Sequence, residues 1–126
     1  MLCPFGWSFF HFFSTANETV LIDFDKTHEG ISFAADGMTI DEDGNLYVAT
    51  WNGARIIVIN PQTKEIIREI DMPTAQVTSL AFGGPKLDIL FATTAGKPKP
   101  KPAPAGGLFK ITGLGVKGRP MNEFKL

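Results

Sequence analysis

Apolar residues in this chain come in short runs, and polar residues and glycines gather between them. Val20-Leu21-Ile22-Asp23-Phe24 is a short β-rich run. Met38-Thr39-Ile40 and Leu46-Tyr47-Val48-Ala49-Thr50 flank the polar turn Asp41–Asn45. Ile56-Ile57-Val58-Ile59 follows Asn52-Gly53, a pair suited to the positive φ of a tight turn, and stops before Pro61. Glu65–Ile70 comes next and alternates less cleanly. No segment keeps apolar residues at helical spacing long enough to predict a helix of ordinary length. The predicted fold class is all-β.

The pattern repeats. Val77–Phe82 echoes Gly37–Asp41, Ile89–Thr94 echoes Leu46–Thr50, and Gly107–Ile111 echoes Ala54–Val58. The offset is roughly 40–43 residues once a Pro-rich insert after Thr94 is set aside, the period of a four-stranded propeller blade. A blade cannot bury its faces alone, so neighbours must stack on it. The insert itself, Lys97–Pro104, alternates Lys and Pro and reads as an extended, solvated loop.

Composition narrows the function classes. The chain has 126 residues and a net charge of −1, so no strong field recruits nucleic acid or an anionic membrane. The only cysteine is Cys3, which excludes an intrachain disulfide and gives no sign of an oxidising compartment. The expected location is the cytoplasm rather than the secretory route. Residues 1–13 carry five Phe and one Trp with no Lys or Arg. That run is shorter than the roughly 20 apolar residues a membrane span needs. Residues 1–16 therefore read as an apolar leader, and residues 17–126 as the folded unit.

The most informative stretch runs from Ala35-Asp36-Gly37-Met38 through Asp41-Glu42-Asp43-Gly44-Asn45 to Thr50. With Phe82-Gly83-Gly84 and the tail Gly106–Gly118, it resembles the C-terminal third of the regucalcin/gluconolactonase family, also called senescence marker protein 30. The resemblance runs from about Asn17 to Gly118. Its members are six-bladed β-propellers that hydrolyse sugar lactones with a divalent metal. The resemblance therefore implies a partial propeller of about two C-terminal blades.

The same resemblance makes Asp36 both the candidate metal ligand and the candidate catalytic residue. In the family the Asp of this Asp-Gly-Met motif sits at the inner end of a blade's first strand and holds the metal. The implied cofactor is a divalent cation: calcium, or zinc, manganese or magnesium. Such a cation polarises the lactone carbonyl, and a nearby carboxylate helps activate water. The implied partner is a sugar lactone, with no nucleic acid and no membrane. The family's other two protein ligands, a Glu and an Asn, precede the region this chain resembles, as do its substrate-contacting Arg and Asn. Glu18 and Asn17 do not replace them. One carboxylate plus waters binds calcium weakly, since calcium takes 6–8 oxygen ligands. The expectation is a chain inactive alone, with self-association through exposed strand edges. The alternatives are a non-catalytic β-sheet binding module and a regulatory calcium-binding fragment.

Other motifs fail on their chemistry. Counted from Asp41, an EF-hand needs Gly at position 6 and Glu at position 12, where this chain has Leu46 and Asn52. Gly113-Leu114-Gly115-Val116-Lys117-Gly118 spells G-x-G-x-x-G but opens no helix that would face a phosphate. His11 and His28 share no metal-ligand spacing, and no G-x-S-x-G supports a serine hydrolase.

Overall fold

The computed structural model describes residues 19–96 and 103–125. The apolar leader and the Lys97–Pro102 part of the insert lie outside the described residues. Seven strands form: β1 (Ala34–Ile40), β2 (Leu46–Trp51), β3 (Arg55–Asn60), β4 (Glu65–Asp71), β5 (Val77–Gly83), β6 (Ile89–Thr94) and β7 (Leu108–Ile111). They make two antiparallel sheets, a four-stranded one in the order β1-β2-β3-β4 and a three-stranded one in the order β5-β6-β7. Each sheet is a plain up-and-down meander, which is why turn chemistry governs the fold.

The turns are built as their residues require. Asp41 is buried, and its carboxylate accepts from the Asn45 backbone N–H at 2.8 Å and from Asn45 Nδ2 at 3.0 Å. That locks the acidic turn between β1 and β2. Between β2 and β3, positive φ falls on Asn52 and Ala54, flanking Gly53. Gly53 is needed for space instead, because a Cβ there would collide with the Thr50 side chain. Thr50 Oγ1 donates to the Arg55 carbonyl at 2.6 Å and closes the same hairpin.

The run Val20–Phe24 is not a strand. Among the described residues it has no strand partner to take its backbone groups. Asp23 instead caps the four-residue helix α1 (Phe24–Thr27), accepting from the Asp25 N–H at 3.2 Å. Residues 20–33 lie across one face of the first sheet. Leu21, Ile22, Phe24 and Phe33 pack there against Val48, Ile57 and Ile59.

The two sheets are structural repeats, and their register shows it. Ala35 opposite Thr50 recurs as Val77 opposite Thr94. Met38 opposite Val48 recurs as Leu80 opposite Ala92, and Ile40 opposite Leu46 as Phe82 opposite Leu90. Leu46 opposite Ile59 recurs as Leu90 opposite Ile111. Leu46 thus corresponds to Leu90, one residue beyond the sequence echo. Both inner strands carry a β-bulge at the same place, after Ala35 and after Val77.

Period-2 alternation then assigns the faces. Tyr47, Ala49, Ile56 and Val58 of the first sheet meet Leu80, Phe82, Leu90 and Ala92 of the second in one core. Tyr47 and Phe82 stack edge to face, with ring centroids 5.1 Å apart. Each fully buried Ile or Leu here contributes roughly 1.5–3 kcal/mol of transfer free energy. The Gly-rich tail ties the sheets together. The Gly118 N–H donates to the Leu87 carbonyl at 2.8 Å, and the Glu42 N–H donates to the Lys117 carbonyl at 2.8 Å. Arg68 Nη1 donates to the Leu114 carbonyl at 3.0 Å, and Leu114 enters the core.

Candidate functional site

Asp36 sits in the β1 bulge. Ala35 pairs with Thr50 and Met38 with Val48, so Asp36 and Gly37 together face one residue of β2. A bulge re-aims its side chains relative to the regular pleat. Asp36 is exposed. Gly37 explains how the loop lies so close to the second sheet: a Cβ there would stand 2.7 Å from the Thr78 carbonyl oxygen and 2.9 Å from Ser79 Cα. Only glycine lets the two inner strands approach this closely.

The corresponding bulge of the second sheet is at Thr78, whose hydroxyl lies 2.8 Å from that of Thr93. The Asp36–Gly37 step is therefore brought beside Thr78 and Ser79, a short row of small oxygen-bearing side chains where the inner strands meet. Among the described residues no group of three or more His, Cys, Asp or Glu is placed to hold a metal ion. A hard cation needs 6–8 oxygens with carboxylates supplying most of the charge. Asp36 offers an exposed carboxylate at this bulge, and the described residues do not complete such a set around it.

Three features escaped the sequence. Asp41 is a buried structural carboxylate rather than a solvated turn residue, and it stands beside the Tyr47 hydroxyl. Burial, with Asp41's charge next, pushes the Tyr47 phenol up to about 12. His28 is no free loop residue. Its side chain is 7% exposed, its ring packs edge-on to Phe33 and Phe24, and Nε2 lies 2.9 Å from Glu69 Oε1. Arg55 Nη1 holds the other oxygen of Glu69 at 2.6 Å. Burial acts to raise the Glu69 pKa, but the hydrogen bonds from His28 and Arg55 outweigh it and hold the carboxyl below its usual value. The third feature is a hollow of about 270 Å³ between Glu42, Asp88 and the Gly113–Lys117 loop, on the seam between the sheets. Among the described residues no helix is long and apolar enough to cross a membrane.

Repeated antiparallel sheets stacked face to face, with equivalent bulges on adjacent inner strands, define a segment of a β-propeller. The SMP-30/Gluconolactonase/LRE-like region matches residues 13–96, and the chain belongs to that family. Regucalcin from Xenopus laevis is 43% identical over 88 residues, 66% of this chain and 29% of that protein. Regucalcin from Danio rerio is 42% identical over 90 residues, 68% of this chain and 30% of that one. Among solved structures, a luciferin-regenerating enzyme superposes with a TM-score of 0.76 at 43% identity, covering 87% of this chain and 37% of that one. A regucalcin from Agrobacterium tumefaciens, described as a calcium-binding protein, gives 0.67 at 27% identity over 77% of this chain and 34% of its own. The chain thus spans about a third of the proteins it matches, and its fold is a partial propeller of about two blades.

Proposed function

We propose that this chain carries one wall of a metal-dependent sugar-lactonase site of the regucalcin type, with Asp36 as its metal-facing carboxylate, and that it is inactive by itself. The observation that supports this reading is the position of Asp36: in the bulge of an inner strand, exposed, and held against the next inner strand by Gly37. Calcium is the cation favoured, because one of the similar proteins is a calcium-binding regucalcin and the donors here are all oxygen. The missing step is ligand number, since the described residues supply one carboxylate where a tight site wants several.

The test is direct. The purified chain is assayed for hydrolysis of gluconolactone with calcium, zinc or manganese. No metal-dependent rate above buffer is expected. A metal-dependent rate that disappears in Asp36→Ala would show that the chain is a working lactonase and sink the claim of inactivity. Terbium luminescence reads the ligand role separately: weak binding, lost in Asp36→Ala and kept in Asp43→Ala, is the expected outcome. The second reading, a non-catalytic binding module, is favoured by one observation: among the described residues Leu108, on the outer face of the second sheet, is a large apolar side chain left exposed.

A further inference from the structure

We infer that Thr78 is a ligand-contacting residue, standing in the second sheet where Asp36 stands in the first and accepting a hydrogen bond from a hydroxyl of the ligand. The ligand class, a sugar lactone, rests on the function proposed above; the placement of Thr78 does not.

The register carries the placement. In the first sheet Ala35 faces Thr50 and Met38 faces Val48, with Asp36 and Gly37 between them opposite one residue. In the second sheet Val77 faces Thr94 and Leu80 faces Ala92, with Thr78 and Ser79 between them opposite Thr93. Thr78 is thus the positional counterpart of Asp36, and Ser79 that of Gly37. A bulge recurring at one place in a repeat is a built feature that re-aims a side chain. The two bulges also touch. A Cβ on Gly37 would stand 2.7 Å from the Thr78 carbonyl oxygen and 3.0 Å from Ser79 Oγ. The residue beside Gly37 and the residue beside Ser79 therefore flank one closely packed step. All of these residues lie within the span 13–96 matched by the family region.

Hydrogen bonding sets the chemistry of the Thr78 oxygen. The Thr78 and Thr93 hydroxyls are 2.8 Å apart, and Thr93 Oγ1 donates to the Ser79 carbonyl at 3.5 Å. With the Thr93 proton so directed, the Thr78 proton goes to Thr93. Thr78 Oγ1 then keeps a lone pair for an outside donor. Asp36, when ionised, is acceptor-only as well. Two neighbouring acceptors, one charged and one neutral, suit a ligand that carries several hydroxyl groups. They do not suit an anion, which brings negative charge to Asp36 and no proton to Thr78.

The test is an NMR titration of the full chain with gluconolactone, run without metal. The shifted backbone signals are expected to centre on residues 36–37 and 78–79. Thr78→Val keeps the branched shape and removes the oxygen, and it is expected to weaken binding about threefold to tenfold, the share of one hydrogen bond. Thr78→Ser is expected to restore it. Thr93→Val breaks the same hydroxyl pair but leaves the Thr78 oxygen, so it is expected to cost less than Thr78→Val. A lactone ring without hydroxyls, δ-valerolactone, is expected to bind the wild type and Thr78→Val alike. No shift at 78–79 at any lactone concentration overturns the inference. So do equal losses in Thr78→Val and Thr93→Val, which would make the pair structural, and equal losses for the two lactones. Failure of the metal reading shows elsewhere, as terbium binding that ignores Asp36→Ala; the metal-free titration then decides Thr78 by itself.

Discussion

At position 37 a single methyl group has nowhere to go. Gly37→Ala would drive its Cβ into the Thr78 carbonyl and Ser79, which are backbone atoms and do not swing aside. Overpacking of this kind costs about 1–3 kcal/mol, which thermal melting should register as a clear fall in Tm. Asp36→Ala is the contrast. Asp36 is exposed, so its stability change should stay within about 0.5 kcal/mol while terbium binding is lost. Tyr47, the single tyrosine, offers a spectroscopic reading. Its phenol is held at about 12 against an ordinary 10.0. The unfolded chain therefore ionises first as pH rises. This contribution to stability is complete below pH 10 and is lost as pH climbs toward 12. An ultraviolet titration of the folded chain with a midpoint near 10 would refute the burial argument. The Asp-Gly-Met motif was visible beforehand because it is local. The reason for Gly37 was not, since the atoms that exclude a side chain come from a strand some forty residues away.

Elements that find partners nearby in sequence were the most legible. β1, β2, β3, β5 and β6 fall where alternation and turn residues put them, because each pairs with its neighbour through a short hairpin. The strap of residues 20–33 across the first sheet was misread, because Val20–Phe24 has strand composition but no strand to pair with. A strand is a property of two segments, and the sequence of one does not supply the other. The polar fastening of this strap, the His28–Glu69–Arg55 cluster, was likewise hidden by the 41 residues between His28 and Glu69. It predicts an acid response. Glu69 sits below the ordinary carboxylate value of 4.5, so its share of stability is present above that pH and is lost as pH falls through its own lower value. His28 is further held by the Thr27 hydroxyl, 2.9 Å from Nδ1. Limited trypsin cleavage at Lys26 should therefore accelerate below pH 4.5 and in Glu69→Gln at neutral pH. The cluster is part-exposed, so its worth is about 0.5–1 kcal/mol, a several-fold change in the population of open strap. Equal cleavage rates at pH 4 and pH 7, after correction for the protease, would assign the strap's hold to its apolar contacts alone.

The molecule as a whole is two blades where its relatives have the material of several more. Blade stability comes largely from stacking, and the described residues make one internal stack between two sheets. The strap shields part of one with Leu21, Ile22, Phe24 and Phe33, and the other has no such cover among the described residues. β4 is an edge of the first sheet, and Arg68, Glu69 and Asp71 help protect it from lateral pairing. β7 carries Leu108 and Lys110 on the outer face of its sheet, and among the described residues no fourth strand lies beyond it. Were copies of the chain to associate only when folded, folding and association would be one equilibrium. A partner that binds only the folded form stabilises it by mass action, so self-association would make Tm depend on the concentration of the chain itself. Calorimetric scans at increasing protein concentration would then show Tm rising, by roughly the amount that a 2.7 kcal/mol gain produces when concentration reaches a hundred times the dissociation constant. Leu108→Glu would remove that dependence and leave the dilute-limit Tm nearly unchanged, because Leu108 is solvent-exposed in the single copy. If Tm is high and the same at every concentration for both proteins, a single internal stack between two blades is enough to hold the fold.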